Sequence, residues 1–270
     1  MYLLFDIGAT NMRIAMSHDG ETILDQKIIP TPADFTEGMK VFKSGVRELC
    51  GDMIINGAAG GVPGILNKEK AVLLSAPNLE GWEDVLLKEA IEKALDITVH
   101  LENDAALAGL GEAVFGAGKD KRIVAYFTVS TGVGGVRVIN GRLDEGAFGF
   151  EPHRQIVDGV HNLGYYISGN GIKKRYGKSP EDIEDPAMWK EAAQWLAIGV
   201  NNAIAFWSPD IFILGGAVMR HRISVAEVKR QVEEFGNFPE FPEIVAAQLG
   251  DASGLYGALA LVKKKVEHSE

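Results

Sequence analysis

At 270 residues, with 46% apolar and 24% charged side chains, the chain has the composition of a globular protein large enough for one big domain or two lobes. A formal net charge of -10 argues against a nucleic-acid surface as its main business, though not against an anionic substrate held in a locally positive site. The lone cysteine, Cys50, excludes an internal disulfide and a thiolate metal cage. No apolar run reaches the ~20 residues of a membrane span, and no cleavable leader is visible, so the cytoplasm is the expected compartment.

The opening run Tyr2 to Ile7 is continuously apolar apart from Asp6 and stops at Gly8, which reads as a buried strand. Asp6 suits a hydrated divalent cation, because hard cations take oxygen ligands. Gly8 allows close backbone approach, and the amides and hydroxyl of Ala9, Thr10 and Asn11 suit phosphate oxygens. An ordinary polar turn fits the same residues. The next residues, Ile14 to Ser17, Asp19-Gly20 and Ile23 to Ile29, read as a hairpin rather than a helix. That excludes the two commonest nucleotide folds, which put a helix directly after the glycine turn.

Asp34 and Glu37 form a capping box for a helix with Phe35, Met39, Phe42, Val46 and Leu49 on one face, ended by Gly51. Met53 to Ile55 is expected to begin a buried strand running into the Gly60-Gly61-Val62-Pro63-Gly64 loop. Ala71 to Leu74 reads as a short strand. In the loop after it, Asn78 and Trp82 suit either a sugar site or a turn residue beside a core ring. A helix buries Leu87, Ile91, Ala94 and Leu95, and Ile97 to Leu101 is the next strand. Asn103 then caps a helix of small residues through Ala113, with Asp104 in its first turn. The helix dipole is expected to keep Asp104 ionised at the open end of the sheet. A plain acidic residue at a helix start is the alternative.

Gly116 to Lys121 is a glycine- and charge-rich break without a P-loop pattern, and the lobe boundary is placed there: 1–118 and 119–270, with the terminal helix 253–266 open to packing back on the first lobe. The second lobe repeats the first. Ile123 to Phe127 is a strand, Thr128 to Gly135 a hydroxyl- and glycine-rich turn, Val136 to Ile139 a strand, and Asn140-Gly141 a hairpin turn. Two such turns facing each other would grip a triphosphate from both sides. Residues 146–178 read mostly as irregular loop. Met188 to Phe206 is a long helix. Ile211 to Gly216 is a buried strand that turns through Gly215 and Gly216 into a helix, suited to a base or ribose lying on bare backbone or simply to a close-packed turn. Ile244 to Gln248 is a last strand, and Asp251-Ala252-Ser253-Gly254 starts the terminal helix.

In this order, the motifs resemble the ROK family of sugar kinases, within the two-lobed actin, sugar kinase and Hsp70 superfamily. The family's Asp-Ile-Gly-Gly-Thr-Asn is matched by Asp6 to Asn11, with Ala9 for the second glycine. Its Glu-Asn-Asp-Ala is matched by Glu102 to Ala105, and its Gly-Thr-Gly-Ile-Gly-Gly by Ser130 to Gly135. The strand ending in two glycines matches Ile211 to Gly216, and the closing Asp-Ala-Gly-Leu-x-Gly-Ala matches Asp251 to Ala258. The resemblance spans essentially the whole chain. It implies an α/β, ribonuclease H-like (actin-like ATPase) fold with a central cleft, and ATP-dependent phosphorylation of a hexose or hexose derivative. Asp104 would accept the proton of the attacking sugar hydroxyl, and Asp6 would organise Mg²⁺ through water. Gly8, Thr10, Asn11, Thr131 and Gly132 would hold the phosphates, and Gly215 and Gly216 the adenosine. Gly64, Asn78, Asn103, Asp104 and Glu151 would serve the sugar. A homodimer is a family expectation, and neither a nucleic-acid nor a membrane partner is expected.

Two departures fall on the sugar's C1/C2 side. The family's Glu-x-x-His is here Glu151-Pro152-His153-Arg154, with histidine one position early and arginine in its place. The family's zinc-binding cysteine cluster, ending in Cys-Leu-Glu, is here Asn162-Leu163-Gly164, so no structural zinc is expected. His153 then stands in for the missing histidine, or Arg154 and Gly164 admit a larger or more acidic acceptor. A catalytically weakened sugar- or nucleotide-binding regulator is the competing reading, against which the retained Asp6 and Asp104 weigh. A kinase with a non-sugar acceptor is a third.

Overall fold

The computed structural model describes residues 1–76, 79–146, 149–236 and 238–267. They form two compact units: Met1–Val114 together with the segment beginning at Asp251, and Phe115–Gly250. The sequence division lay between 118 and 119; the units part at 114 and 115, and the last helix lies with the first unit.

The first unit opens with β1 (Tyr2–Ile7), β2 (Asn11–Ser17) and β3 (Asp25–Pro30), an antiparallel meander. α1 (Phe35–Cys50) comes next, capped by the Asp34 carboxylate on the Glu37 amide and ended by Gly51 at φ 55°. β4 (Gly57–Val62) is parallel to β1 and buried at every position. The expected strand start at Met53 is wrong: Met53 and Ile54 are exposed, and pairing begins at Gly57. A strand squeezed between two others under large rings needs small residues. A Cβ on Gly60 would lie 2.1 Å from the Phe5 ring, so hydrophobicity alone misplaces this strand. β5 (Ile65–Leu66) and β6 (Leu73–Ser75) make a small hairpin. α2 (Leu87–Leu95), β7 (Val99–Asn103) and α3 (Asp104–Val114) complete this stretch. Trp82 is fully buried, its ring on Gly38 and its Nε1 donating to the Pro32 carbonyl at 3.0 Å, which makes it a core residue.

The second unit repeats the plan with β8 (Ile123–Val129), β9 (Val133–Ile139) and β10 (Arg142–Leu143) as the meander. Residues 146–178, expected to be irregular, contain α4 (Leu163–Ile167) and α5 (Gly169–Tyr176). These helices are too short for a readable period, but both carry caps: Asn162 accepts from the Tyr165 amide and Ser168 from the Gly171 amide. α6 (Pro186–Trp207) crosses the core, burying Trp189, Leu196 and Val200. β11 (Ile211–Gly215), α7 (Ala217–His221), α8 (Val225–Phe235) and β12 (Glu243–Ala246) complete the unit. α9 (Ser253–Glu267) packs on α3 and over β4 and β1.

The sheet orders are β3-β2-β1-β4-β7 and β10-β9-β8-β11-β12. Each has two antiparallel strands at one edge and parallel pairing from its third strand onward. This is the α/β, ribonuclease H-like topology expected, built twice. Among the described residues, no helix is long and apolar enough to cross a membrane.

Candidate active site

In the first unit, parallel pairing aligns β1, β4 and β7, so Asp6 and Asp104 both lie at the carboxyl ends of strands that flank β4, the usual ligand edge of such sheets. Gly61 of β4 lies between them. A Cβ there would sit 3.5 Å from Asp6 Oδ1 and 3.3 Å from Asp104 Cα. Gly254 at the start of α9 closes the other side, 3.1 Å from Asp6 Oδ2 by the same measure. Neither glycine stood out in the sequence as part of the acidic site, because both look like ordinary turn or motif glycines. Their shared feature is space: a side chain at Gly254 would press on the Asp6 carboxylate, and one at Gly61 would crowd the Asp104 backbone and Leu107.

The nearby Asp6 raises the cost of ionising Asp104. Burial and the nearby Asp6 push the Asp104 pKa up to about 7, against smaller lowering by the backbone amides of Ala105 and Asp104. Burial also raises Asp6, partly opposed by Arg13, whose Nη1 lies 3.8 Å from Asp6 Oδ2. The expectation that the helix start keeps Asp104 ionised is therefore corrected: desolvation and a like charge outweigh the helix terminus. Two crowded carboxylates form a hard, oxygen-rich donor set whose repulsion a divalent cation would relieve, so the residues fit Mg²⁺.

The turn after β1 is held from behind. Gly8 N–H donates to the Asn11 carbonyl at 2.9 Å, while Thr31 donates its hydroxyl to Gly8 O at 2.7 Å and its amide to Thr10 O at 2.9 Å. Thr10 itself is exposed. Asn103 is bound internally: its Oδ1 caps α3 through the amides of Ala105 and Ala106, and its Nδ2 donates to Gly64 O at 3.0 Å. Gly64 has φ +108° and leaves no room for a side chain under Ser75 O, so it shapes the loop through its backbone. Asn78 lies outside the described residues.

In the second unit, Thr131 and Gly132 form the exposed turn between β8 and β9, closed by Ser130 N–H on Gly132 O. The start of α5 anchors it: Gly169 and Asn170 donate to the carbonyls of Ser130 and Thr131 at 2.8 and 3.0 Å. Gly215 and Gly216 are packed against their own sheet, Gly216 at φ +97° on Val129 and Gly215 on Tyr126. Glu151 and His153 come together, with Nδ1 and Oε2 2.9 Å apart on the 3₁₀ turn Pro152–Arg154. Arg154 is exposed, and a Cβ on Gly164 would lie 3.3 Å from the His153 Cβ. Glu151 also borders a pocket of about 390 Å³ walled by Phe150, Ile156, Phe206 and Trp207.

The ROK family model matches residues 2–265. The chain belongs to the ROK family. This ROK chain is 27% identical to a glucokinase of Streptomyces coelicolor, with 96% of each chain covered. It is 26% identical to an N-acetyl-D-glucosamine kinase of Citrobacter koseri, over 97% and 99% of the two chains. A ROK family glucokinase from Streptomyces griseus, solved in complex with glucose and AMPPNP, superposes with a TM-score of 0.80 at 25% identity, covering 97% of this chain and 99% of that one.

The zinc that the cysteine cluster of ROK proteins binds finds no donor set among the described residues of this chain. Cys50 is buried in α1 of the first unit, and among the described residues no three His, Cys, Asp or Glu side chains are grouped to hold a metal. These residues do not fit the ion.

Proposed function

We propose that this chain is an ATP-dependent sugar kinase, transferring the terminal phosphoryl group to a hydroxyl of a hexose or hexose derivative. The observation that carries it is the Asp6–Gly61–Asp104 arrangement, in which one acid is poised to titrate near neutrality beside a second that suits a cation. Phosphoryl transfer has a loose transition state and asks mainly for positioning and charge stabilisation. Asp104 would take the acceptor's proton at its carboxylate, and a pKa near the working pH suits that task. Mg²⁺, held through Asp6 by way of water, would neutralise charge on the phosphates. Thr10 with Gly8 and Asn11 in the first unit, and Thr131 with Gly132 in the second, would each donate to phosphate oxygens. Gly215 and Gly216 would carry the adenosine.

Glu151 and His153 would bind adjacent sugar hydroxyls as a pair, with Arg154 at the rim. In the first unit, Asn78 and the loop at Gly64 would also serve the acceptor, and Asn103 would position Asp104 and Gly64 as well as offer its second amide hydrogen. The cytoplasm is the proposed compartment and a homodimer the proposed assembly. The test is Mg²⁺-dependent ADP release from ATP with glucose, mannose, fructose, N-acetylglucosamine and N-acetylmannosamine. Release stimulated by at least one sugar, and lost in Asp104→Asn, is expected. Sugar binding without any stimulated release would overturn the kinase reading.

A further inference from the structure

A second polar cluster in the Phe115–Gly250 unit has no part in the chemistry above. Its centre is Asp158. Oδ1 accepts the backbone amides of Val160 and His161 at 2.8 and 2.5 Å. Oδ2 accepts the Tyr166 hydroxyl at 2.5 Å and faces His161 Nδ1 at 2.8 Å. The rings extend the cluster. His161 stacks on Tyr165 at 4.2 Å, and Tyr166 stacks on Trp195 of α6 at 3.9 Å. Arg175 lies over Tyr166 and pairs with Glu191, also on α6. The hydrogen bonds, led by that from Tyr166, hold the Asp158 carboxyl well below the usual range, and the bond to Asp158 pushes the Tyr166 phenol up to about 12. Across neutral pH the pair is therefore an ionised acceptor and a neutral donor, the stronger kind of hydrogen bond.

This cluster sits at the tip of a short loop whose base carries the acceptor turn. Val157 donates to His161 O at 3.1 Å, Ile156 bridges Asn162, and Leu163 donates to Gln155 O at 2.7 Å. Gln155 in turn donates to Pro152 O, and Arg154 to Glu151 O, closing the turn that bears Glu151 and His153. Gly164, two residues before Tyr166, packs on His153. An unbroken run of contacts thus leads from Asp158 to the Glu151–His153 pair. It borders Asn162–Gly164, which by resemblance stands where the ROK cysteine cluster ends.

We propose that Asp158, His161 and Tyr166 form a metal-free clasp that positions the Glu151–His153 turn for the acceptor, where other ROK proteins use zinc. The proposal rests on the reading that Glu151 binds the acceptor. Asp158 and Tyr166 are positioning residues, acting through the loop they hold. The probing variant is Tyr166→Phe in the full chain, which keeps the ring between its neighbours and removes only the hydroxyl. Hydrogen exchange at amides 153–163 should quicken about ten- to a hundredfold, the scale of one lost hydrogen bond to a charged group, with β1 and α6 unchanged. With whichever of the five sugars is turned over fastest, the acceptor KM should rise by a similar factor, while kcat and the ATP KM stay within about twofold. Asp158→Ala should do more and Asp158→Asn less, since the amide oxygen can still accept.

Unchanged exchange at 153–163 overturns the clasp, as does a parallel rise of the acceptor and ATP KM values. Stoichiometric zinc in the purified protein, whose removal loosens the same segment, would also overturn it. Glu151→Gln, measured alongside, separates the two readings. If it leaves the acceptor KM untouched, the assignment of Glu151 fails; if it raises the KM and Tyr166→Phe does not, the clasp alone fails.

Discussion

A single carboxyl carries the sharpest residue-scale expectation. Native Asp104 keeps its proton up to about pH 7, whereas the unfolded chain releases it near 3.8. Between those values the native state binds more protons, so this group's contribution to stability is full below about pH 4 and is lost as pH rises towards 7. Asp104→Asn has no proton to lose, and its Oδ1 can still accept the Ala105 amide. In ligand-free protein its Tm should therefore exceed the wild type's at pH 8, with the gap closing as pH falls to 4. Turnover should drop ~10²–10⁴-fold, the usual loss when a general base is removed. A variant less stable than wild type at pH 8 would show that burial does not tax this charge. Asp6 and Asp104 were legible in the sequence because each ends an apolar run at a polar turn. The effect of Asp6 on Asp104 was not, since sequence spacing hides that β1 and β7 flank the same strand. Gly61 and Gly254 were invisible as site residues for a related reason: they matter through the atoms they leave out.

At the scale of elements, a strong cap made the start of α1 readable and a long apolar period made α6 readable as a helix, though its Asp185 cap and Pro186 start precede the expected Met188. β4, whose burial requires small residues, was begun four residues early, and α4 and α5, too short for a readable period, vanished into a glycine-rich loop. The same chemistry governs the crossing of α3 and α9. A Cβ on Gly257 would fall 1.9 Å from the Leu107 carbonyl oxygen, and one on Gly111 2.2 Å from that of Ser253. Glycine costs a helix interior roughly 1 kcal/mol relative to alanine, so on propensity alone Gly257→Ala should stabilise. The close approach decides otherwise, because backbone cannot yield as a flexible side chain can, and overpacking typically costs about 1–3 kcal/mol. Gly257→Ala should thus lower the denaturant midpoint, and kcat should fall with it because α3 begins at Asp104. A midpoint raised by the alanine would mean that the helices part without penalty.

For the whole molecule, the important fact is that one unit is continuous in sequence and the other is not. Phe115–Gly250 contains its entire sheet, β10-β9-β8-β11-β12, and a core around Phe127, Leu163, Leu196 and Phe212 drawn only from its own residues. It is expected to fold alone, with a cooperative thermal transition. The first unit is split around it. Leu255, Leu259 and Val262 of α9 are fully buried. At about 1.5–3 kcal/mol for each buried side chain they contribute about 5–9 kcal/mol, comparable with the whole net stability of a domain, about 5–15 kcal/mol. Residues 1–114 alone should therefore lack a cooperative transition. Gly111 touches Ser253, so the chain ends left by removing the second unit lie close together and a short Gly/Ser linker can join them. Fusing 251–267 to 1–114 through such a linker should restore a cooperative transition and the near-ultraviolet signal of buried Trp82. Cooperative folding of 1–114 with an unchanged midpoint would refute the role of α9, and an unfolded 115–250 would refute the independence of the second core.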